Sequence, residues 1–187
     1  MSILPANEQN LKNALAEGRA LHICVDLRAE FYSHAVAPFF QNVANLQKDL
    51  ADKNIPTIWL NHTHRPENSY NLKTEFIYAR PQNSDFMLNI PNIDAWGNDT
   101  LQFLLRAQQA DTVLLTGHKS SAMSITLAAN AASNGITAFV LPEAMCHADS
   151  TDTDSFNFWK PLCETIPLQG AKERIKESPS RPTKFGL

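Results

Sequence analysis

Asp26 ends the apolar run Leu21-His22-Ile23-Cys24-Val25. A carboxylate at the end of a buried strand can give or take a proton. The same residue type also serves as a turn or cap residue, so both readings of Asp26 stand at this point. A second segment, Thr112-Val113-Leu114-Leu115-Thr116-Gly117-His118-Lys119-Ser120-Ser121-Ala122-Met123, runs from apolar residues through a glycine into small residues. That order reads as a buried parallel strand, a tight turn and a helix over Ile125–Ala132. Backbone N–H groups and the positive end of a helix dipole converge at such a junction and suit an anion. The turn Gly117–Met123 is therefore the expected binding or active site.

Further candidates come from histidines and cysteines. In His62-Thr63-His64 the two imidazoles are spaced so that an extended loop could bring both to one metal ion. A hydrogen-bonded histidine lining the pocket is the better reading of His62, and no metal is expected. His118, inside the turn, is a candidate polar contact to substrate. Phe31, Tyr70 and Trp159 could wall a pocket, but aromatic residues at these spacings are more often core. Cys24, Cys146 and Cys163 are odd in number and form no CxxC pair, which argues against a disulfide framework or structural zinc. Buried, inert thiols are the expectation.

The intervening chain alternates helical and strand patterns. Asn10–Glu17 reads as a short helix closed by Gly18, Leu21–Leu27 as a strand, and Val36–Lys53 as a helix with Phe39, Phe40, Val43, Leu46 and Leu50 in a stripe. Ile55–Leu60 is the next strand, followed by a polar loop, a short strand at Phe76–Ala79 and a proline- and asparagine-rich stretch to Asn92. Thr100–Gln109 is helical with Leu101, Leu104 and Leu105 on one face. After the turn come a helix over Ser124–Asn134 with Gly135 at its C′ position, a strand at Ile136–Leu141 and a helix over Asp154–Cys163. The tail from Gly170 is charged and contains proline, so it is expected to be mobile or loosely packed.

Alternating β and α elements over 187 residues predict one three-layer α/β domain spanning 1–187, a mainly parallel sheet with helices on both faces. Ligands of such folds sit beyond the carboxyl ends of the strands. This selects Asp26, the His62 loop, the Arg80 region, the Gly117–Met123 turn and Glu143. A net charge of −3 with no basic run gives nucleic-acid binding little support. The apolar runs fall short of the roughly 18 residues that span a bilayer, so no membrane association is expected. Met1–Glu8 lacks a charged region followed by an apolar one, and a cytoplasmic protein is the default expectation.

Val25-Asp26-Leu27, Arg80-Pro81-Gln82-Asn83-Ser84-Asp85-Phe86 and Leu114–Met123 together resemble the isochorismatase-like cysteine hydrolases. That family includes nicotinamidases, N-carbamoylsarcosine amidases and isochorismatases, and the resemblance runs from about Leu21 to Ala148. It implies an isochorismatase-like, Rossmann-like fold and a catalytic triad of Asp, Lys and Cys. Asp26 matches the aspartate, Arg80 falls at the lysine, and Met123 falls at the cysteine, so the triad is degenerate. The resemblance also implies a non-proline cis peptide near His118-Lys119, with the N–H groups of Lys119 and Met123 forming an oxyanion hole. Glu143 resembles a family aspartate that is usually structural. The zinc-binding Asp-x-His of the nicotinamidases is here His62-Thr63-His64.

Arg80 keeps a positive charge that can hold a carboxylate bidentately, but it gives up a proton poorly. A thioether at Met123 cannot form the thioester that cysteine-dependent amide hydrolysis needs. Isochorismatases also lack the cysteine and protonate a vinyl ether through their aspartate. The expected protein is a family hydrolase of a small, anionic metabolite that acts without a cysteine nucleophile and without a cofactor. The alternative is a catalytically silent relative that binds a small ligand or acts in regulation or assembly. The resemblance further implies a homodimer or higher homo-oligomer.

Overall fold

Two faces of one sheet organise the packing. In the computed structural model, which describes residues 5–27, 37–62, 81–82, 84–119, 121–146 and 155–182, six strands form that sheet. They are β1 (Ala20–Val25), β2 (Thr57–His62), β3 (Phe86–Ile90), β4 (Thr112–His118), β5 (Thr137–Cys146) and β6 (Glu164–Thr165). Every neighbouring pair is parallel and the order is β3-β2-β1-β4-β5-β6. The helices are α1 (Ala6–Ala16), α2 (Ala37–Ala51), α3 (Asp99–Ala107), α4 (Ala122–Asn130), α5 (Ser155–Trp159) and α6 (Leu168–Glu177). The three-layer α/β domain expected from the alternating pattern is the one observed.

All of β1 is buried, which explains its unbroken apolar run. Ala20 and Cys24 pack with Leu11 and Leu15 of α1, Phe40, Leu46 and Leu50 of α2, and Ile175 of α6. Leu21, Ile23 and Val25 belong to the opposite core, with Leu101 and Leu105 of α3 and Met123 and Leu127 of α4. Gly135 ends the turn after α4 with φ +71°, as its C′ assignment requires.

The structure departs from the sequence pattern in three places. Phe86–Ile90, inside the stretch expected to be loop, is β3. Its side chains alternate between half-buried and exposed, as on an edge strand, and the pairing from Ile58↔Phe86 to His62↔Ile90 defines it. The proposed strand at Phe76–Ala79 lies outside the described residues. β5 runs beyond Leu141 to Cys146, because a register shift against β4 accommodates Pro142. The charged segment expected to be mobile or loosely packed instead contains α6 (Leu168–Glu177), with Ala171 and Ile175 fully buried. Ion pairs from Lys172 to Asp49 at 3.6 Å and from Arg174 to Glu177 at 3.2 Å satisfy its charges. Glu143 Oε2 accepts the N–H of Leu168 at 3.1 Å, so Glu143 caps this helix and its role is structural.

Gly117 holds the centre of the sheet together. Its φ is +125°, and a Cβ there would meet the Val25 carbonyl oxygen at 2.0 Å. Gly117→Ala is expected to destabilise by about 3 kcal/mol or more, or to prevent folding. Thermal unfolding checks this, and an unchanged midpoint would contradict the packing described.

His22 makes a second, pH-dependent demand on the core. Its Nδ1 lies 3.0 Å from Thr57 Oγ1 and its Nε2 lies 2.8 Å from Thr116 Oγ1. Burial pushes the imidazole down from 6.5 to about 3. The unfolded chain therefore binds a proton at His22 below about pH 6.5, whereas the folded chain resists it until about pH 3. This contribution to stability is complete above the higher value and declines as pH falls between the two. About 2 kcal/mol of it is lost by pH 5. In urea unfolding, His22→Gln is expected to lose less stability between pH 7 and pH 5 by about that amount. Equal declines in the two proteins would refute the assignment.

Candidate active site

Three strand ends converge at the carboxyl edge of the sheet. Val25 pairs with Leu60 on one side and Gly117 on the other, which places Asp26 between β2 and β4. The Asp26 N–H continues the pairing to the Leu60 carbonyl at 2.8 Å. Its φ of +50° lies in the left-handed region, an uncommon conformation for a residue with a Cβ, though aspartate tolerates it better than most.

The carboxylate is 6% exposed and both of its oxygens are engaged. Oδ1 accepts the backbone N–H of His62 at 2.7 Å, and Oδ2 accepts the hydroxyl of Ser121 at 2.6 Å. Short hydrogen bonds to an ionised acceptor are among the stronger ones in proteins. Asp26 thus ties the end of β2 to the start of α4, which a solvated turn residue would not do.

Ser121 was not singled out by sequence reasoning. It is the N-cap of α4, but its side chain caps nothing and turns instead to Asp26. The only local signal was a serine at a helix start, where capping is the ordinary explanation.

The remaining predicted residues distribute unevenly. His62 ends β2, is 9% exposed, and supplies its backbone N–H to the site. His118 ends β4 and is half-buried. Lys119 is 4% exposed, with its ammonium 4.7 Å from the ring centroid of Phe158 on α5, a cation–π contact. Met123 is fully buried among the apolar residues beneath the site. Trp159 is fully buried as core. Arg80, His64, Phe31 and Tyr70 lie outside the described residues. Among the described residues, no group of three or more His, Cys, Asp or Glu side chains could hold a metal.

The backbone of the turn differs from what the resemblance implied. No peptide bond among the described residues is cis, and the His118–Lys119 bond is trans. β4 and β5 remain paired through His118↔Cys146, and the Lys119 N–H donates to the Cys146 carbonyl at 2.7 Å. Sheet pairing therefore consumes the amide assigned to the oxyanion hole. The first-turn amides of α4, at Ala122, Met123 and Ser124, are the ones that an α-helix leaves without an intrahelical acceptor.

A parallel sheet with a buried carboxylate at the end of a central strand, beside a strand–glycine–helix turn, defines a Rossmann-like domain with a strand-end acidic site. The chain belongs to the isochorismatase family: the Isochorismatase domain matches it over residues 20–162. No curated protein matches the chain at a significant level. Among solved structures it is similar to a cysteine hydrolase from Pseudomonas syringae pv. phaseolicola 1448A, at 18% identity and a TM-score of 0.71, covering 84% of this chain and 92% of that one. N-carbamoylsarcosine amidase from Thermoplasma acidophilum gives 17% identity and a TM-score of 0.67, covering 80% and 96%. Pyrazinamidase/nicotinamidase from Streptococcus mutans UA159 gives 14% and 0.61, covering 79% and 99%. At these identities the likeness establishes a shared fold.

All three thiols are held in their neutral form. Burial pushes Cys24 up to about 12, Cys146 up to about 11 and Cys163 up to about 12. The thiolate is the reactive form, so burial lowers the reactivity expected of all three. Iodoacetamide at pH 8 is expected to alkylate the native protein far more slowly than the urea-unfolded protein, as read by intact mass. A native cysteine that reacts as fast as a free thiol would contradict this.

Proposed function

We propose that the protein is a hydrolase of a small, anionic metabolite in which Asp26 transfers the proton and no cysteine acts as nucleophile. The observation that carries this reading is the Asp26 carboxylate. It is buried, held by the His62 amide and the Ser121 hydroxyl, and set in left-handed backbone at the end of a central strand. Strain and polar convergence of this kind collect at functional sites. The neutral, buried thiols and the apolar surroundings of Met123 support chemistry without sulfur.

In this reading Arg80 binds the anionic group of the substrate, and His118 and Lys119 contribute polar contacts from the end of β4 and the turn after it. Met123 favours a second reading, a silent relative that binds a small anion or regulates a partner. Its buried thioether removes the family nucleophile, and the Lys119 amide is already bonded. Turnover separates the two.

A panel of small carboxylate-bearing esters, amides and vinyl ethers is expected to include at least one substrate. Asp26→Asn keeps the size of the side chain and is expected to lower its turnover by about 100-fold or more. A variant with all three cysteines replaced by serine is expected to keep it. Turnover that survives Asp26→Asn but is lost in the cysteine-free variant would overturn the proposal.

A further inference from the structure

We propose that Ser121 supplies the attacking oxygen at this site, with Asp26 taking its proton, and that the substrates are acyl compounds, namely carboxylic esters or activated amides. This deepens the hydrolase reading above and rests on it. The Ser121 hydroxyl donates to Asp26 Oδ2 at 2.6 Å, a nucleophile-to-base distance. The other carboxylate oxygen accepts the His62 N–H at 2.7 Å, so a third group orients the base.

The local structure gives up a conventional interaction to keep this arrangement. An N-cap serine ordinarily accepts a hydrogen bond from the first turn of its helix, at a gain of about 1 kcal/mol. Ser121 makes no such bond. Exposure points the same way: Asp26 is 6% exposed and Met123 is fully buried, whereas Ser121 is only half-buried. An arriving substrate therefore reaches the hydroxyl more readily than the carboxylate behind it. The first-turn amides of α4 follow Ser121 directly and can stabilise developing negative charge at the carbonyl oxygen. An aspartate that accepts a hydroxyl proton as the oxygen attacks is established chemistry, as in protein kinases.

In the first step Ser121 Oγ bonds to the acyl carbon while its proton passes to Asp26, and the carbonyl electron pair moves onto oxygen. Collapse of that adduct breaks the bond to the leaving oxygen or nitrogen, which takes the proton from Asp26. Water then attacks the Ser121 ester and gives a proton to Asp26. The second collapse frees the carboxylic acid and returns the proton to Ser121 Oγ. No redox partner or further reactant is needed.

An alkyl fluorophosphonate tests this without knowledge of the natural substrate, because it phosphonylates an activated serine with loss of fluoride. The full chain is expected to gain one phosphonyl group, mapped to Ser121 by peptide mass spectrometry. Ser121→Ala should abolish the adduct, and Asp26→Asn should slow it by about 100-fold. If Asp26→Asn does not fold, Asp26→Gly makes the same comparison, since glycine accepts the left-handed backbone. Absence of an adduct, an adduct on another residue, or labelling of Ser121 indifferent to Asp26 would overturn the proposal. Asp26-dependent turnover that persists in Ser121→Ala would remove the serine step and leave the hydrolase reading standing. Turnover indifferent to Asp26 would remove both.

Discussion

The hydrogen bonds at the Asp26 carboxylate connect parts of the chain that no single strand or helix joins. One oxygen reaches the end of β2 through the His62 amide, and the other reaches the start of α4 through the Ser121 hydroxyl. The backbone that carries the carboxylate departs from the strand into the left-handed region. In the row beneath, Gly117 leaves room for the Val25 backbone. A side chain at Gly117 would part β1 from β4, and the carboxylate would lose its registry with the turn.

The apolar core reaches up to the same turn. Met123 sits in the inner core with Leu127, Met145 and Trp159, where its thioether contributes packing. The Lys119 amide completes the pairing of β4 with β5. The Lys119 amide and the Met123 side chain are thus taken up by sheet pairing and core packing, next to the Asp26 carboxylate and the start of α4. Ser121, two positions before the methionine, carries a hydroxyl that reaches the Asp26 carboxylate.

Much of this architecture is written in local pattern. The all-buried β1, the leucine face of α3 and the strand–glycine–helix order of the turn are each legible within a dozen residues, and Asp26 could be placed at a strand end from them. β3 could not, because its five residues alternate weakly and its identity lies in pairing with β2. α6 was obscured by its charges, some of whose partners, Asp49 and Glu8, lie far away in the chain. Ser121 was hidden for the same reason: its partner is 95 residues distant, and nothing in a serine at a helix start reveals that it faces a carboxylate. The trans peptide and the engaged Lys119 amide were unreadable for a different reason, since the expectation there came from resemblance and sheet pairing decided otherwise.

The central claim is that Asp26 and Ser121 are energetically coupled across the site. A double-mutant cycle in urea unfolding, using Asp26→Gly to spare the backbone and Ser121→Ala, measures that coupling directly. The account predicts an interaction energy of about 1.5–3 kcal/mol, the range for a hydrogen bond to a charged group. Additivity of the two substitutions within about 0.5 kcal/mol would contradict it.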